Sequence, residues 1–205
     1  MKNNIIKIKL VLIRHGITAG NKEHRYIGTT DEPLTEEGKT LLYEAKEAGR
    51  YGEAAIVFSS PMKRCIQTAE ILYPGQSIFP VEEWREMDFG EFEGKNYADL
   101  NGRADYQAWI DSNGTLPFPG GESREEFCTR SMSGLSKVLD TLAEQTGGEK
   151  EPLTAACIVH GGTIMALLSS LGIGGYFDFQ CANGEGYEVE LYDKTSGKIT
   201  GEIKC

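Results

Sequence analysis

The sequence has little positive charge. Among its 205 residues, 21 are Lys or Arg and 31 are Asp or Glu, which gives a formal net charge of −10. General nucleic-acid binding needs a basic face, and docking on an anionic lipid surface needs one too. We therefore expect no nucleic-acid partner and no membrane partner, and a few local cations must hold any anionic ligand.

Long apolar runs are also missing. The N-terminal stretch 5–13 is interrupted by Lys7 and Lys9 and is followed by Arg14 and His15. A membrane span needs about 20 predominantly apolar residues. A signal peptide needs an unbroken apolar core and a small-residue cleavage site. Neither pattern occurs, so we expect a cytoplasmic protein.

Cysteine and histidine are scarce. The five cysteines are scattered without a CxxC pair, and there are three histidines. In a cytoplasmic chain this pattern favours reduced thiols over disulfides. It also argues against a zinc site, since no Cys and His residues have the spacing of a tetrahedral cluster. We expect neither a metal ion nor another cofactor.

The sequence does contain an alternation of apolar strands and amphipathic helices. The predicted strands are 5–13, 54–59 and 155–159, with a terminal hairpin of 186–191 and 198–203. The predicted helices begin after an N-cap at Thr35, at the cap pair Ser60 and Pro61, at a Ser123–Glu126 capping box within 120–148, and at Thr163. This order predicts an α/β fold, a three-layer α/β/α sandwich whose central sheet is mostly parallel. We expect a single domain over 1–205, with the irregular segment 97–119 as an insertion or lid.

Residues with catalytic potential follow three of the predicted strands. Arg14 and His15 end the first strand, Ser60 follows the second with Arg64 one helical turn later, and His160 follows the third. Each signal alone has a purely structural explanation: a solvated strand end, a helix cap, a surface helix residue or a buried hydrogen-bonded histidine. In a parallel sheet, however, ligands bind beyond the carboxyl ends of the strands. Because these signals occur together at three strand ends, they predict one anion-binding site along that edge of the sheet, which we call the rim.

The motifs around these residues resemble those of the histidine phosphatase superfamily, the phosphoglycerate-mutase-like proteins. The matching runs are LIRHGITAGN (12–21), GTTDEPLTEEG (28–38), SSPMKRCIQTA (59–69), REMDFGEFEG (85–94), PGGES (119–123) and VHGG (159–162). They follow the order of the family and span most of the chain.

The resemblance implies phosphoryl transfer through a phosphohistidine, with His15 as the nucleophile. The implied phosphate-binding residues are Arg14, Arg64, His160, Asn21, Gly28 and Gly161. A neutral imidazole is a good nucleophile near pH 7, and guanidinium groups fit phosphate oxygens. Arg14, Arg64 and His160 are expected as cationic donors, so that no metal is required.

Glu86 is the general acid by the same resemblance. It would protonate the leaving oxygen and then activate water, with a pKa raised by the nearby phosphate charge. Taken alone, Glu86 is more typical of a surface carboxylate. Asp88 competes for the role, although it is also suited to capping a turn.

The choice between phosphatase and mutase depends on the segment between Glu86 and His160. Its basic residues are isolated, without the Arg-Arg pair of the cofactor-dependent mutases, which favours a metal-independent phosphomonoesterase. The runs REMDFG and FPGGES look most like the α-ribazole phosphatase branch, which acts in cobalamin synthesis. Ile17, Phe92 and Met165 depart from common residues of related phosphatases, which bears on substrate choice.

Other functions stay open at this point. They are a phosphoglycerate mutase, a sugar bisphosphatase, and a non-catalytic module that binds phosphorylated ligands. The expected partner is a small phosphorylated metabolite, and a homodimer is an open alternative. His24 has no matched role and is expected to be exposed. The aromatic residues Trp84, Tyr97, Tyr106 and Trp109 favour packing over a pocket wall.

Overall fold

The structure, a computed structural model, describes residues 8–146, 153–192 and 194–204. The strands within these ranges are β1 (Ile8–Arg14), β2 (Ile56–Ser59), β3 (Ile78–Pro80), β4 (Leu153–Val159), β5 (Gly186–Leu191) and β6 (Gly197–Ile203). They form one sheet in the order β3-β2-β4-β1-β5-β6. The first four strands of that order pair in parallel, and β5 and β6 add an antiparallel edge. The expected mostly parallel sheet and terminal hairpin are both confirmed.

Helices connect the strands. They are α1 (Ala19–Lys22), α2 (Glu36–Glu47), α3 (Lys63–Leu72), α4 (Tyr97–Leu100), α5 (Ala104–Asp111), α6 (Arg124–Thr146) and α7 (Gly161–Ser170). Short 3-10 turns lie at Glu82–Trp84, Gly90–Phe92 and Tyr176–Phe179. None of the described helices is long and apolar enough to cross a membrane.

Strand β1 shows why the sheet is covered on both faces. Successive side chains of a strand point to opposite faces. Leu10 and Leu12 join a core cluster with residues of α6 and α7, whereas Val11 and Ile13 join a second cluster with residues of α2 and α3. These two clusters place helices on both sides of the sheet and confirm the three-layer α/β/α sandwich.

Two predicted helix starts agree with the structure. The Thr35 hydroxyl accepts a hydrogen bond from the Gly38 N–H, which is the geometry of an N-cap. Ser123 and Glu126 bond reciprocally, as a capping box requires. Both caps satisfy backbone N–H groups that have no partner within the helix.

Other predicted boundaries need correction. Helix α3 begins at Lys63, after Met62, so Ser60 and Pro61 do not cap it as predicted. Helix α7 begins at Gly161, two residues before the predicted start, and β2 begins at Ile56. Residues 5–7 of the predicted first strand, and residues 147–148 at the predicted end of the long helix, lie outside the described residues.

The segment 97–119 is more regular than expected, since it contains α4 and α5. Trp109 of α5 packs on Phe118 with ring centroids 4.9 Å apart, and Tyr106 stacks on Trp109. These rings join a third apolar cluster with Met87, Phe92 and residues of α6 and α7. The role of 97–119 as a lid stays a prediction.

Candidate active site

The site lies where three adjacent parallel strands end. Strand β4 lies between β1 and β2, so the residues that follow these strands share one edge of the sheet. The backbone N–H of His15 donates to the Val159 carbonyl, and the N–H of Ser60 donates to the Ile158 carbonyl. The rings of His15 and His160 consequently lie 5.2 Å apart in an edge-to-face arrangement. The rim that the sequence predicts is therefore assembled.

The His15 ring is held in one tautomer. Its Nδ1 lies 2.7 Å from the Gly16 carbonyl oxygen, which only accepts hydrogen bonds, so Nδ1 carries the proton. In the neutral ring, the lone pair is then on Nε2. Burial lowers the pKa of His15 well below its ordinary value of 6.5, and the charges of Arg64 and Arg14 lower it further. A buried, neutral imidazole whose lone pair is on Nε2 is suited to nucleophilic attack.

Arg14 places a cation beside His15. Its Nη1 donates to the Cys181 carbonyl at 2.7 Å. Its Nε is buried and has no hydrogen-bond partner among the residues that the structure describes. An unsatisfied buried donor is costly unless a ligand accepts from it. Arg14 Nε lies close to the backbone of Gly161, because a Cβ atom added to this glycine would be 3.4 Å from it. A guanidinium N–H beside a glycine backbone makes this part of the rim suitable for an anion.

Arg64 has a larger structural task than the sequence indicates. It is 1% exposed and donates to the carbonyls of Thr30, Ile27 and Gly28, and its Nε donates to His160 at 3.3 Å. The side chain therefore fixes the loop 27–30 while its charge stays in the site. Direct contact of Arg64 with phosphate stays a prediction.

His160 differs from the expected cationic donor. Burial lowers its pKa well below 6.5, and the charge of Arg64 lowers it further, so the ring is neutral near pH 7. Because Nδ1 accepts from Arg64, Nε2 carries the proton and donates to the Ser60 hydroxyl at 2.8 Å. Ser60 is thus a partner of His160 rather than a helix cap, a role that its sequence position before Pro61 concealed.

Glu86 lies close to the ring of His160. Its Oε2 lies 3.9 Å from His160 Nδ1, and its Oε1 accepts from the Met87 N–H at 2.9 Å. Burial raises the pKa of Glu86 above its ordinary value of 4.5. The direction agrees with the sequence-based expectation, but the cause is desolvation. A buried carboxyl with a raised pKa is suited to donating a proton.

Asp88 has a different task from Glu86. Its Oδ1 accepts from the Gly90 N–H at 2.9 Å, which stabilises the turn that begins the Gly90–Phe92 segment. The turn-capping alternative is therefore the one found for this carboxylate.

A side chain that the sequence analysis did not single out holds the loop of Glu86. Arg130 of α6 donates to the carbonyls of Glu83, Arg85 and Glu86 at 2.7–3.0 Å. Its guanidinium also forms a bidentate pair with Glu122, at 2.6 and 2.8 Å. Glu122 belongs to the PGGES run, and this run was the feature of the sequence that could have pointed to the pair. This pair positions the backbone on which Glu86 stands.

Two further residues hold the backbone of His15 and Gly16. The Thr68 hydroxyl accepts from the Gly16 N–H at 3.0 Å, and the side-chain amide of Asn183 donates to the His15 carbonyl at 3.0 Å. Both lie far from His15 in the sequence, at separations that local patterns do not connect. They fix the turn that follows β1.

The remaining predicted phosphate ligands are near the rim but are partly engaged. Asn21 accepts from the Thr18 N–H and from Asn183 through Oδ1. The Gly28 N–H donates to Glu93, so it is not a free donor. Gly161 is the first residue of α7, where N–H groups and the helix dipole favour anions. Phosphate binding by these three residues stays a prediction.

Two other residues that the sequence analysis discussed, His24 and Trp84, have no part in the site. His24 is exposed, as expected. Trp84 is fully buried, and its Nε1 donates to the Ser131 carbonyl. Within the described ranges, no group of three or more His, Cys, Asp or Glu residues is arranged to hold a metal ion.

Comparisons with known proteins agree with this geometry. The family model of the histidine phosphatase superfamily, branch 1, matches residues 10–199. The phosphatase PhoE of Bacillus subtilis is 33% identical over 168 residues, which cover 80% of this chain and 77% of that protein. A 2,3-bisphosphoglycerate-dependent phosphoglycerate mutase of Gloeobacter violaceus is 31% identical over 170 residues, covering 79% and 74%.

A solved structure shows the same fold. The α-ribazole phosphatase of Shigella flexneri superposes with a TM-score of 0.78 at 22% identity, covering 96% of both chains. At this identity the likeness concerns the fold alone. The match to the family model covers most of the chain, and the relatives named as phosphatases support a phosphatase activity. The chain belongs to the histidine phosphatase superfamily, branch 1.

Proposed function

We propose that the protein is a metal-independent phosphomonoesterase that works through a phosphohistidine on His15. The observation that carries the proposal is the state of the His15 ring, which is buried, neutral and protonated on Nδ1 toward the Gly16 carbonyl. That state leaves Nε2 as the attacking atom. The orphan Nε of Arg14 supplies a donor for the phosphoryl oxygens.

The first step transfers the phosphoryl group to the enzyme. His15 Nε2 forms a bond to phosphorus as the bond from phosphorus to the ester oxygen breaks. The protonated carboxyl of Glu86 gives its proton to the leaving oxygen, so the product departs as a neutral alcohol. The charges of Arg14 and Arg64 offset the negative charge of the transferring group.

The second step returns the enzyme to its starting state. Glu86, now a carboxylate, takes a proton from a water molecule that attacks phosphorus. The bond between phosphorus and Nε2 breaks, inorganic phosphate leaves, and Glu86 is protonated again. Every proton and bond is accounted for without a metal or another cofactor.

We propose a small phosphorylated metabolite as the substrate, with α-ribazole 5′-phosphate as the first candidate. The support is the resemblance of the REMDFG and FPGGES runs to that branch. The fold of the Shigella flexneri enzyme is consistent with it. The similarity to a phosphoglycerate mutase supplies the alternative that the experiment must separate.

The test is phosphate release from a panel of substrates with wild type and His15→Asn. The panel contains α-ribazole 5′-phosphate, p-nitrophenyl phosphate, fructose 2,6-bisphosphate, and 3-phosphoglycerate with and without 2,3-bisphosphoglycerate. We expect hydrolysis that is unchanged by EDTA and absent in His15→Asn, with α-ribazole 5′-phosphate preferred. Isomerisation of 3-phosphoglycerate without net phosphate release would identify a mutase instead. Phosphate binding without any turnover would indicate a non-catalytic module.

A further inference from the structure

One loop beside the site lies between two charged side chains. On one side, the guanidinium of Arg64 donates to the carbonyls of Ile27, Gly28 and Thr30, at 2.9–3.3 Å. On the other side, the carboxylate of Glu93 accepts from the backbone N–H groups of Gly28 and Thr30, each at 3.0 Å. Glu93 belongs to the REMDFGEFEG run, but the proposed mechanism does not use it.

One peptide unit of this loop joins the two charges. The Ile27 carbonyl and the Gly28 N–H belong to the same planar peptide. Its oxygen accepts from Arg64, and its N–H donates to Glu93. The negative end of the peptide dipole therefore faces the guanidinium, and the positive end faces the carboxylate. Because hydrogen bonds in such a chain polarise one another, the two side chains stabilise the same backbone conformation from opposite sides.

The loop also packs closely against the backbone beside Glu86. A Cβ atom added to Gly28 would be 2.0 Å from the Met87 carbonyl oxygen, so this position requires glycine. A displaced loop therefore has two ways to impair catalysis. It can move the guanidinium of Arg64, or it can move the carboxyl of Glu86.

The three loop carbonyls are the main anchor of the Arg64 side chain. This side chain is 1% exposed, and among the described residues its other hydrogen bond is to His160, at 3.3 Å. An arginine side chain has many rotamers, and its hydrogen bonds select one of them. A shift of the loop carbonyls would therefore move the charge that offsets the transferring phosphoryl group.

We infer that Glu93 is a positioning residue for Arg64, because it holds the loop whose carbonyls fix the guanidinium in the site. This inference rests on the proposed phosphatase function, in which Arg64 stabilises the transferring group. Asp31 keeps the loop attached to α3 independently, since its carboxylate accepts from the Lys63 N–H at 2.7 Å. Loss of the Glu93 carboxylate should therefore displace the loop locally and leave the fold intact.

The first test compares two substitutions of Glu93. Its Oε1 accepts from both N–H groups, so Glu93→Gln keeps a shared acceptor, whereas Glu93→Ala removes it. For Glu93→Ala we expect kcat/KM to fall about 10- to 100-fold, since a displacement of about 1 Å can cost about 10²-fold. Glu93→Gln should lose less than about threefold. Equal losses in the two variants would contradict positioning through these hydrogen bonds.

The second test identifies the group through which Glu93 acts. Arg64 offsets charge on the phosphoryl group, which all substrates share. The loss of kcat/KM in Glu93→Ala should therefore agree, within about threefold, for an alkyl phosphate and for p-nitrophenyl phosphate. A displaced Glu86 would instead impair the alkyl phosphate, whose leaving oxygen needs the proton. A loss confined to the alkyl phosphate would overturn the assignment to Arg64.

A double variant tests the connection directly. Arg64→Lys keeps a cation but loses the planar fork that bonds the three carbonyls. In that background, Glu93→Ala should lower kcat/KM by less than about threefold further, because the side chain that the loop positions is already gone. Losses that multiply would show that Glu93 acts independently of Arg64 and would contradict the inference.

A matched control is Asp99→Asn, six positions after Glu93. The Asp99 carboxylate also accepts a backbone N–H, that of Asn96 at 3.1 Å, but its side chain is exposed and its ionic partner is Arg25. The control should leave kcat/KM unchanged. A loss as large as that of Glu93→Ala would contradict a specific role of Glu93.

Binding of inorganic phosphate, measured by isothermal titration calorimetry, separates this inference from the proposed function. If the phosphatase proposal fails, wild type binds phosphate without hydrolysing the esters. Glu93→Ala should then still bind it at least about fivefold more weakly than wild type. If only this inference fails, Glu93→Ala hydrolyses the esters and binds phosphate as wild type does.

Discussion

The two halves of the site are held in place by different means. The nucleophile half, named for the role proposed for His15, consists of Arg14, His15 and His160. It lies at the ends of β1 and β4, which pair along seven residues in parallel register. The acid half, named for the role proposed for Glu86, is the loop 83–88, which has no strand and only a 3-10 turn. The position of this loop depends on Arg130 of α6, whose guanidinium donates hydrogen bonds to three backbone carbonyls of the loop.

This difference has a consequence for substitution. Backbone pairing in a central sheet is shared among many hydrogen bonds, so no single side chain decides where His15 lies. The position of Glu86 depends instead on one guanidinium and its partner Glu122, which itself has a carboxylate only 14% exposed. We therefore expect the acid half to be the more easily displaced, with losses that depend on the leaving group.

The largest effect that separates the halves is expected for Glu86→Gln. The amide cannot donate the acid proton, so the kcat/KM of alkyl phosphates should fall about 10²- to 10⁴-fold, the usual contribution of a general acid. We use kcat/KM because it reports phosphoryl transfer to His15 and not the later hydrolysis, in which Glu86 acts on every substrate alike. p-Nitrophenyl phosphate, whose leaving group is stable as an anion, should lose far less. Steady-state kinetics with both substrates measures the ratio. Equal losses on the two substrates would refute the acid role.

A smaller effect of the same kind is expected for Arg130→Met. Without the bonds to the loop carbonyls, Glu86 shifts, and a displacement of about 1 Å in a catalytic group costs up to about 10²-fold. The loss of kcat/KM should fall on alkyl phosphates and spare p-nitrophenyl phosphate, which also reports that the fold survives. In the double variant with Glu86→Gln, the alkyl loss should not exceed that of Glu86→Gln alone. Additive losses would show that Arg130 acts independently of the acid.

The smallest effect concerns the protonation of the nucleophile half. Because the folded-state pKa of His15 lies below 6.5, the unfolded chain takes up a proton below that pH while the folded chain does not. The same holds for His160. The free energy of unfolding should therefore fall as the pH decreases below about 6.5. Above that pH, the two histidines should leave the free energy of unfolding unchanged.

Nuclear magnetic resonance titration of the imidazole signals, assigned with His15→Asn, measures this pKa directly. We expect His15 to titrate well below 6.5 in the absence of ligand. A His15 pKa at or above 6.5 would contradict the account of a buried neutral ring beside two arginines.

The same comparison explains what the sequence could predict. His15 and His160 follow apolar runs that pair in parallel, and the position of ligands at strand ends is a general property of such sheets. The place of these residues in one anion-binding rim was therefore predictable from local patterns, whereas the role of His15 came from the family resemblance. The alternation of strands and helices along the chain likewise predicts a sheet covered on both faces.

The acid half was visible only through the family resemblance. Glu86 lies in an irregular loop, and the residues that hold it, Arg130 and Glu122, are separated from it by 44 and 36 positions. A contact between such distant side chains leaves no periodic signal. The neutral state of His160 also escaped prediction, because desolvation depends on the packed structure rather than on the order of residues.

The boundaries that failed have a common physical reason. Ser60 and Pro61 form a good capping pair by composition, yet the serine hydroxyl bonds to His160 and the helix begins two residues after Pro61. A tertiary contact has overridden a local preference here. Such conflicts are expected at functional sites, where side chains serve the ligand rather than the secondary structure.

The most direct test of the central claim is to trap the phosphorylated enzyme. Wild type is mixed with a labelled alkyl phosphate and quenched in base, in which phosphohistidine survives and acyl phosphates do not, and the labelled peptide is then sequenced. The account predicts one acid-labile phosphoryl group on His15, formed and consumed as fast as turnover, and none in His15→Asn. Turnover without any phosphorylated intermediate, or a label on another residue, would contradict it.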